Sequence, residues 1–193
     1  MKKNVVVTVV IICSLFFFTK ANAQLSEAKT VFTHADTLRG SNGEFRQQWD
    51  VLHYDITVEP DYFTKTIIAK TTMQFFDNGA KLMQIDLQQP MILDSVKDGP
   101  TSFKFRRDNN VYWLAYRDTG NNIMYKIKPG IRSLTFYYHG KPTEAVRAPW
   151  DGGWVWKKDK NSNPWMTVAC QGLGASVWYP CKDIQSDKPD SGA

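Results

Sequence analysis

An all-β fold of short antiparallel strands is what this 193-residue sequence predicts. Apolar and polar residues alternate with period two through most of the chain after Asp50, the pattern of strands with one buried face. No segment repeats apolar residues at i, i+3, i+4 and i+7 over several turns, so no long amphipathic helix competes. Turn-forming residues punctuate the runs at short intervals, which favours a sandwich or a curved open sheet. The composition, 42% hydrophobic and 22% charged, is globular, and the length suits one domain with one core.

Residues 1–23 stand outside that fold. Met1-Lys2-Lys3 is a positive start, Val5 to Phe18 an apolar run of 14 residues, and Ala21-Asn22-Ala23 a small-x-small cleavage pattern before Gln24. This is the build of a secretory signal peptide. A membrane-spanning helix needs about 20 residues, so an uncleaved anchor fits less well. Cys13 lies inside the apolar run rather than after it, unlike a lipoprotein signal. The expectation is an exported protein with no membrane span after cleavage. Residues 24–49 show no clean period and read as an arm laid on the surface.

The β-domain is expected over residues 50–182. Leu52, Tyr54, Ile56 and Val58 share one face against His53, Asp55 and Thr57, and Glu59-Pro60-Asp61 ends the run, because proline cannot donate into a ladder. Ile67, Ala69, Thr71, Met73 and Phe75 form the next inward face, followed by the turn signal Asp77-Asn78-Gly79. Met83, Ile85 and Leu87 alternate with Gln84, Asp86 and Gln88, and Gln89-Pro90 stops them. Further runs cover Ile92–Val96, Phe103–Phe105 and Val111–Tyr116. Ile123, Tyr125 and Ile127 alternate, and Pro129-Gly130 turns into Arg132, Leu134, Phe136 and Tyr138. Trp150, Trp154, Trp156 and Trp165 then mark a long aromatic excursion, before Met166–Gln171 and Ala175–Tyr179 resume strand character. Residues 183–193 are polar, and they read as a tail without regular structure at the boundary of a truncated domain.

Several function classes are excluded by charge. Loss of the leader removes Lys2, Lys3 and Lys20 but no acid, which leaves the mature chain near neutrality. Its longest basic clusters, Arg106-Arg107 and Lys157-Lys158, are each flanked by Asp. No basic stripe points to nucleic acid.

The chain offers little chemistry of its own. His34, His53 and His139 show no His-x-x-His or His-x-x-x-His spacing, so no helix or strand presents a ready metal pair. There is no Gly-x-Ser-x-Gly elbow, and no phosphate-binding Lys follows Gly172-Leu173-Gly174. Cys170 and Cys181 are either buried thiols or a disulfide. A bridge is permitted in an oxidising compartment and would stabilise by about 3 kcal/mol in the chain-entropy model. No catalytic and no metal-ligating residue is assigned. Trp154 and Trp156, on one strand face, admit two readings: cover for a core or interface, or a carbohydrate-binding platform, since flat rings stack on the C–H patches of sugars.

The segment from Trp165 to Asp183, WMTVACQGLGASVWYPCKD, resembles the end of the N-terminal domain of M1-family zinc aminopeptidases. There a Gln or Glu precedes a Pro-Cys-x-Asp type motif by nine residues, the spacing kept here by Gln171 and Pro180-Cys181-Lys182-Asp183. Trp49-Asp50-Val51-Leu52-His53-Tyr54-Asp55-Ile56 resembles the family's first core strand. Ala35-Asp36-Thr37-Leu38-Arg39-Gly40 and Pro149-Trp150-Asp151-Gly152-Gly153-Trp154 resemble pieces of its exported bacterial members. The resemblance implies a saddle-shaped, sandwich-like antiparallel β-domain preceding a thermolysin-like catalytic domain. It implies that Gln171 binds the free α-amine of a peptide substrate, an amide oxygen being a good acceptor for an ammonium. It also implies zinc in the intact family member, none of it bound by this chain. The His-Glu-x-x-His and Gly-x-Met-Glu-Asn segments that carry the family's catalysis are not in this sequence. Ile184 and Lys188 stand where many relatives have His and Glu. The chain is therefore expected to be inactive alone, with the peptide N-terminus and the missing catalytic domain as its partners.

Overall fold

In a computed structural model, which describes residues 31–40, 42–117 and 128–193, the period-two runs become strands. The leader and the alternation at Ile123, Tyr125 and Ile127 lie outside the described residues. Residues 33–193 form one compact unit, and Val31 and Phe32 belong to a separate N-terminal one. The strands are β1 (Trp49–Asp61), β2 (Thr66–Asp77), β3 (Leu82–Asp86), β4 (Ile92–Asp98), β5 (Thr101–Ser102), β6 (Phe105–Asp108), β7 (Val111–Ala115), β8 (Gly130–Gly140), β9 (Gly153–Lys158), β10 (Pro164–Ala169) and β11 (Ser191–Gly192). They build a six-stranded sheet in the order β11-β1-β2-β8-β4-β5, a three-stranded sheet β3-β7-β6, and the hairpin β9-β10. Every pairing is antiparallel except that of β11 with β1.

All three sheets feed one apolar core. Ile67, Met73, Phe75, Leu134, Phe136 and Tyr138 come from the large sheet, Met83, Ile85, Tyr112 and Leu114 from the small one, and Trp154 and Trp156 from the hairpin. The inward face expected of β2 is buried throughout, and its one polar member, Thr71, shares a 3.0 Å hydrogen bond with the Tyr138 hydroxyl. That bond satisfies two groups that burial would otherwise strand.

The structure corrects the sequence reading in several places. In β1 a bulge lies between Val51 and His53. The extra residue reverses the alternation, so Trp49 and Val51 point inward before it, Tyr54 points inward after it, and Leu52 is only half-buried. The strand also continues through Pro60 to Asp61, opposite Ile67 and Thr66. β11 pairs only with His53 and Tyr54, so this end of β1 is a sheet edge, where proline is tolerated.

The alternation in β3 fails for a different reason. Gln84 and Asp86 are buried, as are Met83 and Ile85, because the stretch read as a surface arm covers the other side of the small sheet. It holds two short helices, α1 (His34–Gly40) and α2 (Glu44–Gln47). Leu38 packs with Val111 and Trp113 in a second apolar cluster joined by Phe45, whose ring meets Trp113 edge-on at 5.1 Å. A local signal for α1 exists in Thr33-x-x-Asp36. The Asp36 carboxylate accepts from the Thr33 N–H at 2.7 Å, and the Thr33 hydroxyl accepts from the Asp36 N–H at 3.3 Å, a reciprocal capping box.

Near the C-terminus, Ala175–Val177 is a 3-10 turn rather than a strand. The polar tail also carries structure. Ser191 and Gly192 add in parallel to β1, where the Ala193 N–H donates to the Tyr54 carbonyl at 2.8 Å.

Candidate functional site

Gln171 follows β10 in a turn that leads into the 3-10 segment, and it is exposed. The turn is braced along its whole length. Gln171 O accepts the Leu173 N–H at 2.8 Å, and Cys170 O accepts that of Gly174 at 2.9 Å. From outside the turn, Arg39 in α1 donates to the Gly172 carbonyl. The Gln88 amide donates to the Leu173 carbonyl and, at 2.9 Å, to the Ser176 hydroxyl. That hydroxyl in turn donates to the Asp183 carboxylate at 2.6 Å. A turn held by this many independent bonds presents its side chains with little ordering cost.

The Pro180-Cys181-Lys182-Asp183 motif is the anchor beneath. Cys181 exchanges backbone hydrogen bonds with Asp86 at 2.8 and 3.0 Å, and the Asp183 N–H donates to the Asp86 carboxylate at 2.9 Å. The same carboxylate accepts from Arg46, a fully buried guanidinium. Burial pushes the Asp86 carboxyl up, with Arg46 pulling against it. Lys182 is also buried. Its ammonium donates to the Trp49 carbonyl at 2.6 Å, lies 4.9 Å from the centre of the Trp49 ring, and pairs with Asp187. None of Asp86, Arg46, Gln88 or Arg39 was legible as a site residue, since each acts only through contacts distant in sequence.

Two small cavities flank this anchor. One, of about 130 Å³, is lined by Leu38, Arg39, Asp86, Gln88, Ser176 and Asp183, and its carboxylates at Asp86 and Asp183 are already engaged. The other, of about 110 Å³, lies among Tyr54, Tyr179, Cys181, Lys182 and Asp187. Gln171 lines neither. Its turn lies on the open surface.

The aromatic platform is corrected by the structure. Trp154 and Trp156 stack on each other with centroids 5.0 Å apart, and they are only 6% and 8% exposed. Trp178 and Tyr62 close on them edge-first. A ring can stack on a sugar only if solvent reaches its face. These two are turned into the core shared by the three sheets.

Cys170 and Cys181 are unpaired. Burial pushes both thiols up, Cys181 well above the usual thiol range, so neither stands where a thiolate nucleophile is favoured. The three histidines are far apart and engaged: His34 with Asp108 at 3.0 Å, His53 with the Ser191 hydroxyl at 2.7 Å, and His139 with Asp94 at 2.9 Å. Among the described residues no three His, Cys, Asp or Glu side chains are grouped to hold a metal ion. These residues do not fit a zinc site, and no reaction step through zinc follows from them. Nor is any described helix long and apolar enough to cross a membrane.

No family model and no curated protein matches the chain in sequence. Solved structures do match in fold. Native yeast leukotriene A4 hydrolase superimposes with a TM-score of 0.54 at 18% identity, over 74% of this chain and 22% of that one. An M1 zinc metallopeptidase mutant of Deinococcus radiodurans, bound to a Tyr-Ser-Ala substrate, matches with a TM-score of 0.52 at 15% identity, over 74% of this chain and 31% of that one. A native leukotriene A4 hydrolase structure from Saccharomyces cerevisiae gives 0.53 at 14% identity, over 82% and 26%. The chain thus spans between 22% and 31% of these proteins' length. Its fold is the all-β fold of the N-terminal domain of M1 peptidases.

Proposed function

We propose that this chain is the substrate-side β-domain of an M1-type zinc aminopeptidase, in which Gln171 accepts a hydrogen bond from the free α-amine of a peptide. The observation that carries the reading is the conjunction of fold and motif. An M1-like β-domain presents Gln171, exposed, on a turn tied to the Pro180–Asp183 anchor by Gln88, Ser176 and Asp183. A neutral amide oxygen held in this way binds an ammonium without the desolvation cost of a second charge, and it favours peptide ends over internal bonds. The zinc, the general base and the rest of the amine site belong, in this proposal, to a thermolysin-like catalytic domain. The reaction of that assembly is release of an N-terminal amino acid. The signal-like leader supports an exported protein.

The test has two parts. The 193-residue chain with added zinc is expected to release nothing from an aminoacyl-anilide above the buffer rate, and chelator-sensitive turnover would overturn the assignment of catalysis elsewhere. Reading the gene past Ala193 addresses the domain arrangement: an in-frame His-Glu-x-x-His supports it, and a stop codon with no such partner gene nearby counts against it.

A further inference from the structure

Beside the Gln171 turn stands a second exposed element. Val146 and Trp150 are 88% and 80% exposed, yet the turn that carries them is closely pinned. The Asp151 carboxylate accepts the backbone N–H of Val146 at 2.6 Å and of Arg147 at 2.7 Å, and the Trp150 N–H donates to the Arg147 carbonyl at 3.0 Å. The residue after Asp151, Gly152, packs against the Gln171 turn. A Cβ placed on Gly152 would stand 2.8 Å from the Gln171 carbonyl oxygen and from the Leu173 side chain. Two residues of chain reach at most about 7 Å, so the Trp150 backbone lies within that distance of Gly152, the residue that meets the Gln171 turn.

Resting on the reading of Gln171 as an amine-holding residue, we propose that Trp150 and Val146 receive the side chain of the peptide's first residue, and that they select an apolar or aromatic one. Two apolar side chains on one short turn fall well short of the roughly 800 Å² per partner that a stable protein interface buries. They do match the 150–250 Å² that a single large side chain can cover. An indole fixed on a pinned turn loses little freedom on binding. Arg147, exposed on the same turn, disfavours a cationic side chain there.

Amino-acid amides titrated into the full chain test this, with the Gln171 side-chain amide signal followed by NMR. Leucinamide and phenylalaninamide are expected to bind about fivefold or more tightly than glycinamide. In Trp150→Ala that preference should shrink to within about twofold, with glycinamide unaffected. Phe63→Ala, which removes an exposed ring from the β1–β2 turn, should leave it intact. A preference that survives Trp150→Ala, or is missing from the wild-type protein, overturns the inference. The Gln171 reading is judged separately: if N-acetyl-leucinamide binds as well as leucinamide, that reading fails, whereas amine dependence without side-chain preference leaves it standing. If no amide shifts the signal saturably, the inference about Trp150 and Val146 is overturned, while the Gln171 reading, whose amine site is completed by another domain, is judged by the N-acetyl comparison.

Discussion

Replacing Asp86 with alanine removes the carboxylate that faces Arg46. The arginine is fully buried and the Asp86 side chain only 6% exposed, so the variant takes a close counter-charge away from a guanidinium inside the protein. Breaking one side of such a pair costs about 3–5 kcal/mol, a large fraction of the roughly 5–15 kcal/mol that holds a domain folded. At about 2–4 °C per kcal/mol for a chain of this size, the midpoint should fall by about 6–20 °C in a thermal melt followed by circular dichroism. The Asp183 N–H loses its acceptor at the same time. Amide exchange across residues 171–183 should therefore accelerate more than across β2 and β8. The paired replacement Arg46→Met with Asp86→Leu removes both charges and should recover most of the loss, ending within about 2 kcal/mol of wild type. A single-variant loss below about 1 kcal/mol would refute the view that this pair clamps α1, β3 and the Gln171 turn together.

Other expectations follow from separate features. Gly153→Ala should cost at least about 2 kcal/mol in urea unfolding, because φ is +136° and a Cβ would stand 2.6 Å from the backbone at Thr143 and Ala145. A thiol reagent should modify Cys170 in the native protein and Cys181 only after unfolding, read by peptide mapping, since one thiol is exposed and the other buried. The backbone N–H groups of Arg147 and Val146 hold the Asp151 carboxyl below its usual value. A carboxyl depressed on folding stabilises above the ordinary carboxylate pKa, about 3.9, and loses that contribution as pH falls through the folded value. The Val146 and Arg147 amide signals should therefore stay constant from neutral pH down to the ordinary carboxylate range and shift only below it. In Asp151→Ala they should sit at the acid-form position at every pH.

The division between local and long-range information runs through particular residues. Period-two alternation is a property of the local backbone, because successive strand side chains point to opposite faces. The inward sets of β2 and β8 were legible for that reason, as was the all-β class. Alternation cannot say what lies on the other face. Gln84 and Asp86 read as solvent-facing and are buried, because α1 and α2, from a stretch with no period of its own, cover the small sheet. The bulge beside Leu52 depends on how β1 meets β2, and the eleven residues after Lys182 gain order from Asp86, Ser176, Lys182 and the β1 edge, all distant or tertiary contacts. Gln171 was picked out through the family resemblance of the segment that ends at Asp183. That its turn is tied to Arg39, Gln88 and, through Ser176, Asp183, and that Trp150 is exposed while Trp154 and Trp156 are buried, was settled by contacts between segments far apart in the chain, which no local pattern encodes.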